Sequence, residues 1–306
     1  MTAPDSATFL GFPAAEPGRA LEADIAILGA PHGTPYVPGS PNDCAVAPAT
    51  LREVAADNTG LIGHYDFDLG GPLLGEGGAR VVDCGDVDGD GENGTRNRAA
   101  ITAATGAILG AGARAVLLGG DDSVPIPFIS AFEAFAPLWI LQIDAHLDWR
   151  DARDGERMGW SSVMRRASEM AFVEGLVQVG LRGPGSARAQ EVADALAWGS
   201  NLFPAARIHG EGVAAALGCI PEGVNCLITL DCDGIDPPAM PGMIYPAPGG
   251  LSYPQAVALI QGAARRARLV GFDITELRPA KDPTGLAPLT AFRLVANALG
   301  AMARQV

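Results

Sequence analysis

Cysteine, histidine and positive charge are all scarce in this chain, and each shortage closes off a class of function. The five cysteines (Cys44, Cys84, Cys219, Cys226 and Cys232) are odd in number and form no CxxC pair. That excludes a disulfide framework and a zinc ribbon, and it fits a reducing, cytoplasmic setting. Charged residues make up only 18% of the 306, and 21 basic side chains face 35 acidic ones for a net charge of −14. So acidic a surface repels phosphate backbones and anionic lipid, so neither nucleic acid nor a membrane is expected as a partner. A cationic or metal-bound small molecule fits better. Long hydrophobic runs are missing too: the most apolar stretch, Ala99–Ala113, sits between Arg98 and Arg114 and is too short to span a bilayer. The first twenty residues hold one basic side chain, Arg19, and no apolar segment, so no signal peptide is expected. There is no internal repeat and no linker of serine or charge.

What is present is apolar residues in short blocks. The hydrophobic share, 48%, is enough to repay chain entropy, and 40 glycines and 24 prolines without a period exclude a collagen-like chain. Strands are expected at Ile25–Leu28, Val81–Cys84, Ala115–Leu118, Trp139–Ile143, Leu176–Gly180, Cys226–Leu230 and Leu269–Ile274. Helical stretches lie between them at Pro48–Ala56, Thr95–Gly110, Val124–Phe135, Ser161–Met170, Ser186–Trp198, Tyr253–Arg266 and Leu286–Met302. Strands rich in Val, Ile and Leu without alternation are buried on both faces, as in a parallel sheet covered by helices. The repeated strand-then-helix order predicts one doubly wound α/β domain over residues 1–306, with 1–20 as an arm and Pro31–Pro48 as a long loop.

Ligands of such a sheet collect at the carboxyl ends of its strands. Four of those ends carry acids: Asp121 and Asp122 in Gly119-Gly120-Asp121-Asp122-Ser123; Asp144, His146 and Asp148; Asp231, Asp233 and Asp236; and Asp273 with Glu276. Residues i and i+2 of an extended segment point the same way, so Asp144 with His146, and Asp231 with Asp233, can each grip one group. Converging anions raise one another's pKa values and oppose folding unless a cation neutralises them. Carboxylates with one imidazole suit Mn²⁺ or a similar ion better than a thiolate-type zinc site does. A single acid after a strand can equally be a helix cap, and Asp121, Asp122 and Ser123 before Val124 can be only that.

Taken together, these motifs resemble the ureohydrolase family of arginase, agmatinase and relatives. The resemblance rests on Gly119–Ser123, on Asp144-Ala145-His146-Leu147-Asp148, on Thr229–Pro237 continuing to Pro241-Gly242 and Gly249-Gly250, and on Asp273–Glu276 with Pro279. Ala26–Pro31, Pro48–Glu53 and Asp83–Asp86 are similar too, so it spans about residues 24–304. It implies a three-layer α/β/α fold with a mostly parallel central sheet and two divalent ions, Mn²⁺ or Ni²⁺. It also implies that Asp144 and Asp231 bridge the ions, that Asp148 and position 122 complete one, and that His146 and Asp233 complete the other. Hydroxide held between the ions would attack a guanidinium carbon, Asp148 would take its proton, and Glu276 would bind the guanidinium. A trimer or hexamer is implied, either of identical chains or shared with a paralogue.

Two departures from that pattern stand out. The family has His where this chain has Asp122, whose carboxylate oxygen lies one bond beyond Cγ, as an imidazole Nδ1 does. The loop Trp149–Arg165 lacks the His proposed elsewhere as a proton shuttle. The remaining candidates for that work are His32, in the loop after the first strand, and His209, after an expected short strand Ala206–Ile208. Trp149, Arg150 and Trp160 flank the loop; an aromatic face would hold an alkyl or cationic tail and Arg150 a carboxylate. The expected reaction is release of urea from agmatine, a guanidino acid such as guanidinobutyrate, or a small alkylguanidine or biguanide. The alternative is a non-catalytic subunit supporting an active paralogue. The acids at Asp86, Asp88 and Asp90 mimic a calcium loop, but its twelfth position is Asn97, so a turn at the pocket rim is expected.

Overall fold

The computed structural model describes residues 7–18 and 20–306. Eight strands form one sheet: β1 (Ile25–Ala30), β2 (Val81–Asp86), β3 (Arg114–Gly119), β4 (Leu138–Ile143), β5 (Val173–Leu181), β6 (Asn201–Pro204), β7 (Asn225–Asp231) and β8 (Arg268–Thr275). Their order is β2-β1-β3-β8-β7-β4-β5-β6, and each pairing is parallel. Because successive side chains leave a strand on opposite faces, every central strand feeds two cores. Ile25 and Ile27 of β1 enter one, Ala26 and Leu28 the other; Val116 and Leu118 of β3 oppose Ala115 and Leu117 in the same way.

Helices cover both faces, as the runs without alternation require. The first core is closed by α1 (Ala47–Ala56), α6 (Ala205–Glu211), α7 (Ala214–Gly218), α8 (Tyr253–Arg266) and α9 (Leu286–Ala303). The second is closed by α2 (Gly94–Gly110), α3 (Pro125–Ser130), α4 (Val163–Ser168) and α5 (Ala189–Trp198). The result is the α/β/α sandwich with a parallel sheet. Local signals place the helix starts: Asn93 accepts the Arg96 N–H ahead of α2, and Ser252 and Gln255 form a capping box ahead of α8.

Several expectations need correction. The short strand Ala206–Ile208 is part of helix α6, where Ala205 and Ile208 bury one helical stripe after Pro204. The strand of that region is β6, four residues long at the sheet edge, where a terminal proline costs no ladder bond. Val124–Phe135 is one short helix and a separate 3₁₀ turn, Glu133–Phe135, and the helix in Ser161–Met170 shrinks to α4 behind a 3₁₀ turn at Trp160–Ser162. Of the expected arm, residues 1–6 and 19 lie outside the described residues. The rest is anchored: Phe9 and Leu10 are buried, and the Phe9 N–H donates to Asp83 Oδ2 at 2.8 Å. The helix most like a membrane span is α9 rather than Ala99–Ala113, and it is 83% buried within the fold.

Candidate metal centre

The four acid-bearing strands, β3, β8, β7 and β4, are consecutive neighbours in the middle of the sheet. Their ends are level, with Ile143 beside Leu230 and Asp231 beside Thr275, so the acids that follow converge. Past β4, the His146 N–H donates to Asp144 Oδ1 at 2.5 Å, and past β7 the Asp233 N–H donates to Asp231 Oδ1 at 2.7 Å. The loops then lock together: the Ala145 N–H donates to Asp233 Oδ1 at 3.0 Å, and His146 Nδ1 lies 2.9 Å from Asp233 Oδ2. Gly234 permits this approach, since a Cβ there would stand 2.8 Å from the Asp144 nitrogen.

Two groups of three ligand atoms result among the described residues, each within 4.8 Å of one another: Asp144, His146 and Asp233, and Asp122, Asp144 and Asp231. Asp144 belongs to both. Asp148 falls outside these groups yet shares one amide with Asp144, because Gln142 Nε2 donates at 2.7 Å to Oδ2 of each. Asp148 holds a left-handed backbone, φ 49°, where the chain leaves the cluster. Asp121 and Asp122 separate cleanly. Asp121 closes a turn ahead of α3, whose own N-cap is Val124, accepting the Ser123 N–H at 3.0 Å and the Asn42 amide at 2.7 Å. Asp122 faces the cluster, accepting the Thr275 hydroxyl at 2.8 Å, while its own N–H donates to Glu276 Oε1 at 2.8 Å.

Burial followed by the charges of Asp148, Asp144 and Glu276 holds the Asp122 carboxyl far above the usual range. Burial and like charges do the same to Asp148, Asp231 and Glu276, and push Asp233 up to about 6. Two groups answer with the opposite charge preference. Burial alone would lower His146, but hydrogen bonds to Asp144 and Asp233 push it up to about 12, and the same contact outweighs burial to lower Asp144. One imidazolium cannot match the charge of six acids once they ionise. Divalent cations fit this donor set: oxygen ligands, one imidazole, and atoms close enough to share Asp144. His146, pushed up to about 12, carries a proton in the metal-free protein and the raised carboxyls hold theirs more tightly, so ions must displace protons to bind. Mn²⁺ affinity is therefore expected to weaken as pH falls from 8 to 6, by about tenfold per unit for each proton released. Calorimetry in buffers of different ionisation heat reads that proton count; binding without proton release would contradict it.

Beside the centre lies a cleft with two lobes that share Trp160 and Tyr245, and His146 is the residue of the cluster that lines it. The larger, about 510 Å³, is lined by His146, Arg150, Arg153 and Arg182; the smaller, about 200 Å³, by His32, Asp43, Asp90, Asp121 and Arg278. Trp160, Arg150 and His32 thus reach the cleft. Trp160 packs edge-on against Tyr36 at 4.3 Å, and Arg150 lies 3.5 Å from Glu191. Trp149 does not reach it. It is buried in the second core against Trp198, because the residue after Asp148 turns to the opposite side. His209 is also misplaced as a shuttle: it is exposed on α6, bonded to the Gly249 carbonyl and near Gln255, and lines neither lobe. Asp90 caps a turn at the smaller lobe's rim, as its discarded calcium motif leads one to expect. Arg153, Tyr36, Thr275 and Gln142 escape sequence reasoning. Only Arg153 carried a signal, its charge in the loop that already held Arg150.

A parallel sheet whose central strand ends gather acids into two overlapping groups that could hold ions defines an α/β protein with a candidate metal centre. Residues 23–300 match the arginase family, and the chain belongs to it. It is 38% identical over 193 residues to N(1)-aminopropylagmatine ureohydrolase of Thermus thermophilus, which covers 63% of this chain and 64% of that protein. Guanidinobutyrase of Pseudomonas aeruginosa is 30% identical over 194 residues, 61% of this chain and 60% of that protein. The chain thus spans just under two thirds of these relatives' length. The solved proclavaminate amidino hydrolase of Streptomyces clavuligerus superposes with a TM-score of 0.83 at 26% identity, covering 98% of this chain and 97% of that one.

Proposed function

We propose that this protein hydrolyses a guanidino compound to urea and an amine, and that its preferred substrates are small guanidino acids. The observation that carries the reading is the pair of ligand groups sharing Asp144, with Glu276 hydrogen-bonded to Asp122 beside them. Asp122, Asp144, His146, Asp148, Asp231 and Asp233 would hold two divalent ions, Mn²⁺ or Ni²⁺. Bound there, the ions would supply a water deprotonated near neutral pH and a site of positive charge for the developing oxyanion. Glu276 offers its carboxylate to the fork of guanidinium N–H donors. Asp148, which shares the Gln142 amide with Asp144 at the centre, would accept a proton and return it to the departing amine.

The lobes supply the substrate's tail preference. In the smaller one each carboxylate is engaged, Asp43 by Arg278, Asp90 by Arg96 and Asp121 by Asn42, so an ammonium tail finds no free acid. In the larger one Arg182 is spent on the carbonyls of Asp233 and Ala247. Arg153 lies over the Tyr36 ring at 4.8 Å and the Trp160 ring at 5.8 Å, and among the described residues its one acidic partner is Asp154 at 3.7 Å. Its planar fork, with Arg150, is set to receive a carboxylate. The exposed pair Tyr65 and Phe67, packed edge-on at 5.0 Å, offers apolar surface for assembly into a trimer or hexamer.

Urea release from guanidinobutyrate, agmatine and methylguanidine, with Mn²⁺ or Ni²⁺ restored to stripped protein, tests the reading. Arg153→Glu is expected to lower kcat/KM for guanidinobutyrate by about 10–100-fold, the worth of a charge-assisted hydrogen bond, and to spare methylguanidine. An equal loss on both would sink the tail assignment. Two bound ions without urea from any guanidine would leave a non-catalytic subunit.

A further inference from the structure

We propose that Gln142, oriented by Gln178 and Ser200, is a positioning residue that fixes the carboxylates of Asp144 and Asp148 for ion binding; this rests on those acids holding divalent ions. Gln142 sits inside β4 with 2% of its surface exposed, among apolar neighbours, where an unbonded amide would oppose folding. Its amide is fully used. Nε2 donates to Asp144 Oδ2 and to Asp148 Oδ2, both at 2.7 Å, and Oε1 accepts from Gln178 Nε2 at 2.6 Å. Gln178 is its register partner in β5 and is wholly buried. That side chain also donates to the Leu147 carbonyl at 2.8 Å and accepts from the Ser200 hydroxyl at 2.7 Å.

The direction of this chain is determined by one atom. A backbone carbonyl can only accept, so the Gln178 end facing Leu147 must be the NH₂. The Gln142 end facing that NH₂ must then be the oxygen, and the two remaining protons point at the two acids. A lysine or arginine in this place would also quiet the carboxylates, but its charge would repel an incoming cation. The amide holds both oxygens and adds no charge, which is the way an outer partner tunes a metal site.

The test is Mn²⁺ binding by calorimetry to stripped protein, with the metal-free melting temperature measured alongside. Gln142→Leu removes both donors at similar volume and is expected to raise the Mn²⁺ Kd by about 10–100-fold. Gln178→Leu touches no acid yet frees the Gln142 amide to turn its oxygen inward, so it should raise the Kd in the same direction. A role in packing alone would lower the melting temperature and leave the Kd within twofold of wild type, and that result would overturn the proposal. Should Gln142→Leu fail to fold, Ser200→Ala, which deletes only the outermost hydroxyl, carries the test: a Kd raised about threefold supports the relay and an unchanged one refutes it. Wild-type protein that binds no Mn²⁺ would overturn both this inference and the metal reading, whereas wild-type binding with unaffected variants overturns this one alone.

Discussion

Asp231→Asn is expected to lower urea release by about 10³-fold or more while leaving the metal-free protein at least as stable as wild type. The first half follows from the ligand group of Asp122, Asp144 and Asp231, which loses its anion. The second follows from what Asp231 does for the fold, which is little. Among the described residues its one side-chain hydrogen bond is accepted by Oδ1 from the Asp233 N–H, and an asparagine oxygen accepts it equally well. Burial, then the charges of Asp233, Asp144, Glu276 and Asp122, holds its carboxyl well above the ordinary range. A group whose folded pKa is raised binds its proton more tightly folded than unfolded, so its contribution to stability declines as pH climbs past the usual carboxylate range. At neutral pH the aspartate is therefore a burden on the metal-free fold that asparagine removes. Added Mn²⁺ reverses the ranking, because ions bound only by the native state stabilise it by about 2.7 kcal/mol at a hundred times Kd. Thermal melts with and without Mn²⁺ should cross over. Asp144→Asn should not show the crossover: both of its oxygens accept, from the His146 N–H and from Gln142, and an asparagine NH₂ would leave one donor facing another. A metal-free Asp231→Asn protein that melts well below wild type would mean that this carboxylate is structural.

This division between function and stability explains what could be read in advance. Acids after apolar strands stood out because they break the pattern that folds the chain, and the i and i+2 spacing already paired Asp144 with His146 and Asp231 with Asp233. The adjacency of β3, β8, β7 and β4 was not legible, because parallel strands far apart in sequence are ordered by how their crossovers pack. Trp149 and Trp160 looked alike in the sequence; a single turn after Asp148 sends one to the core and leaves the other at the cleft. Ala206–Ile208 was too short for its period to separate strand from helix. Gln142 and Gln178 were hidden inside apolar runs, where one amide per strand carries no sign of its partner until β4 and β5 are paired in register.

On the proposed reading, Glu276 is the position at which the metal and substrate roles can be separated. It follows β8 with φ 65°, a left-handed backbone costing a non-glycine residue about 1–3 kcal/mol, and is fixed there by its N–H to the Gly120 carbonyl at 2.8 Å. That geometry aims a buried carboxylate at the Asp122 N–H rather than into either ligand group. Glu276→Gln keeps the accepting oxygen but replaces the second acceptor with a donor, which a guanidinium N–H cannot bond. The variant is expected to bind two Mn²⁺ per chain with wild-type affinity while kcat/KM falls by about 10³-fold, two charge-assisted hydrogen bonds being lost together. Its metal-free fold should be no weaker, since burial and the charge of Asp121 hold the native carboxyl high and glutamine carries no charge to desolvate. Metal analysis beside steady-state kinetics decides the matter: if bound Mn²⁺ drops in step with activity, Glu276 supports the ions, and the guanidinium must be held elsewhere in the cleft.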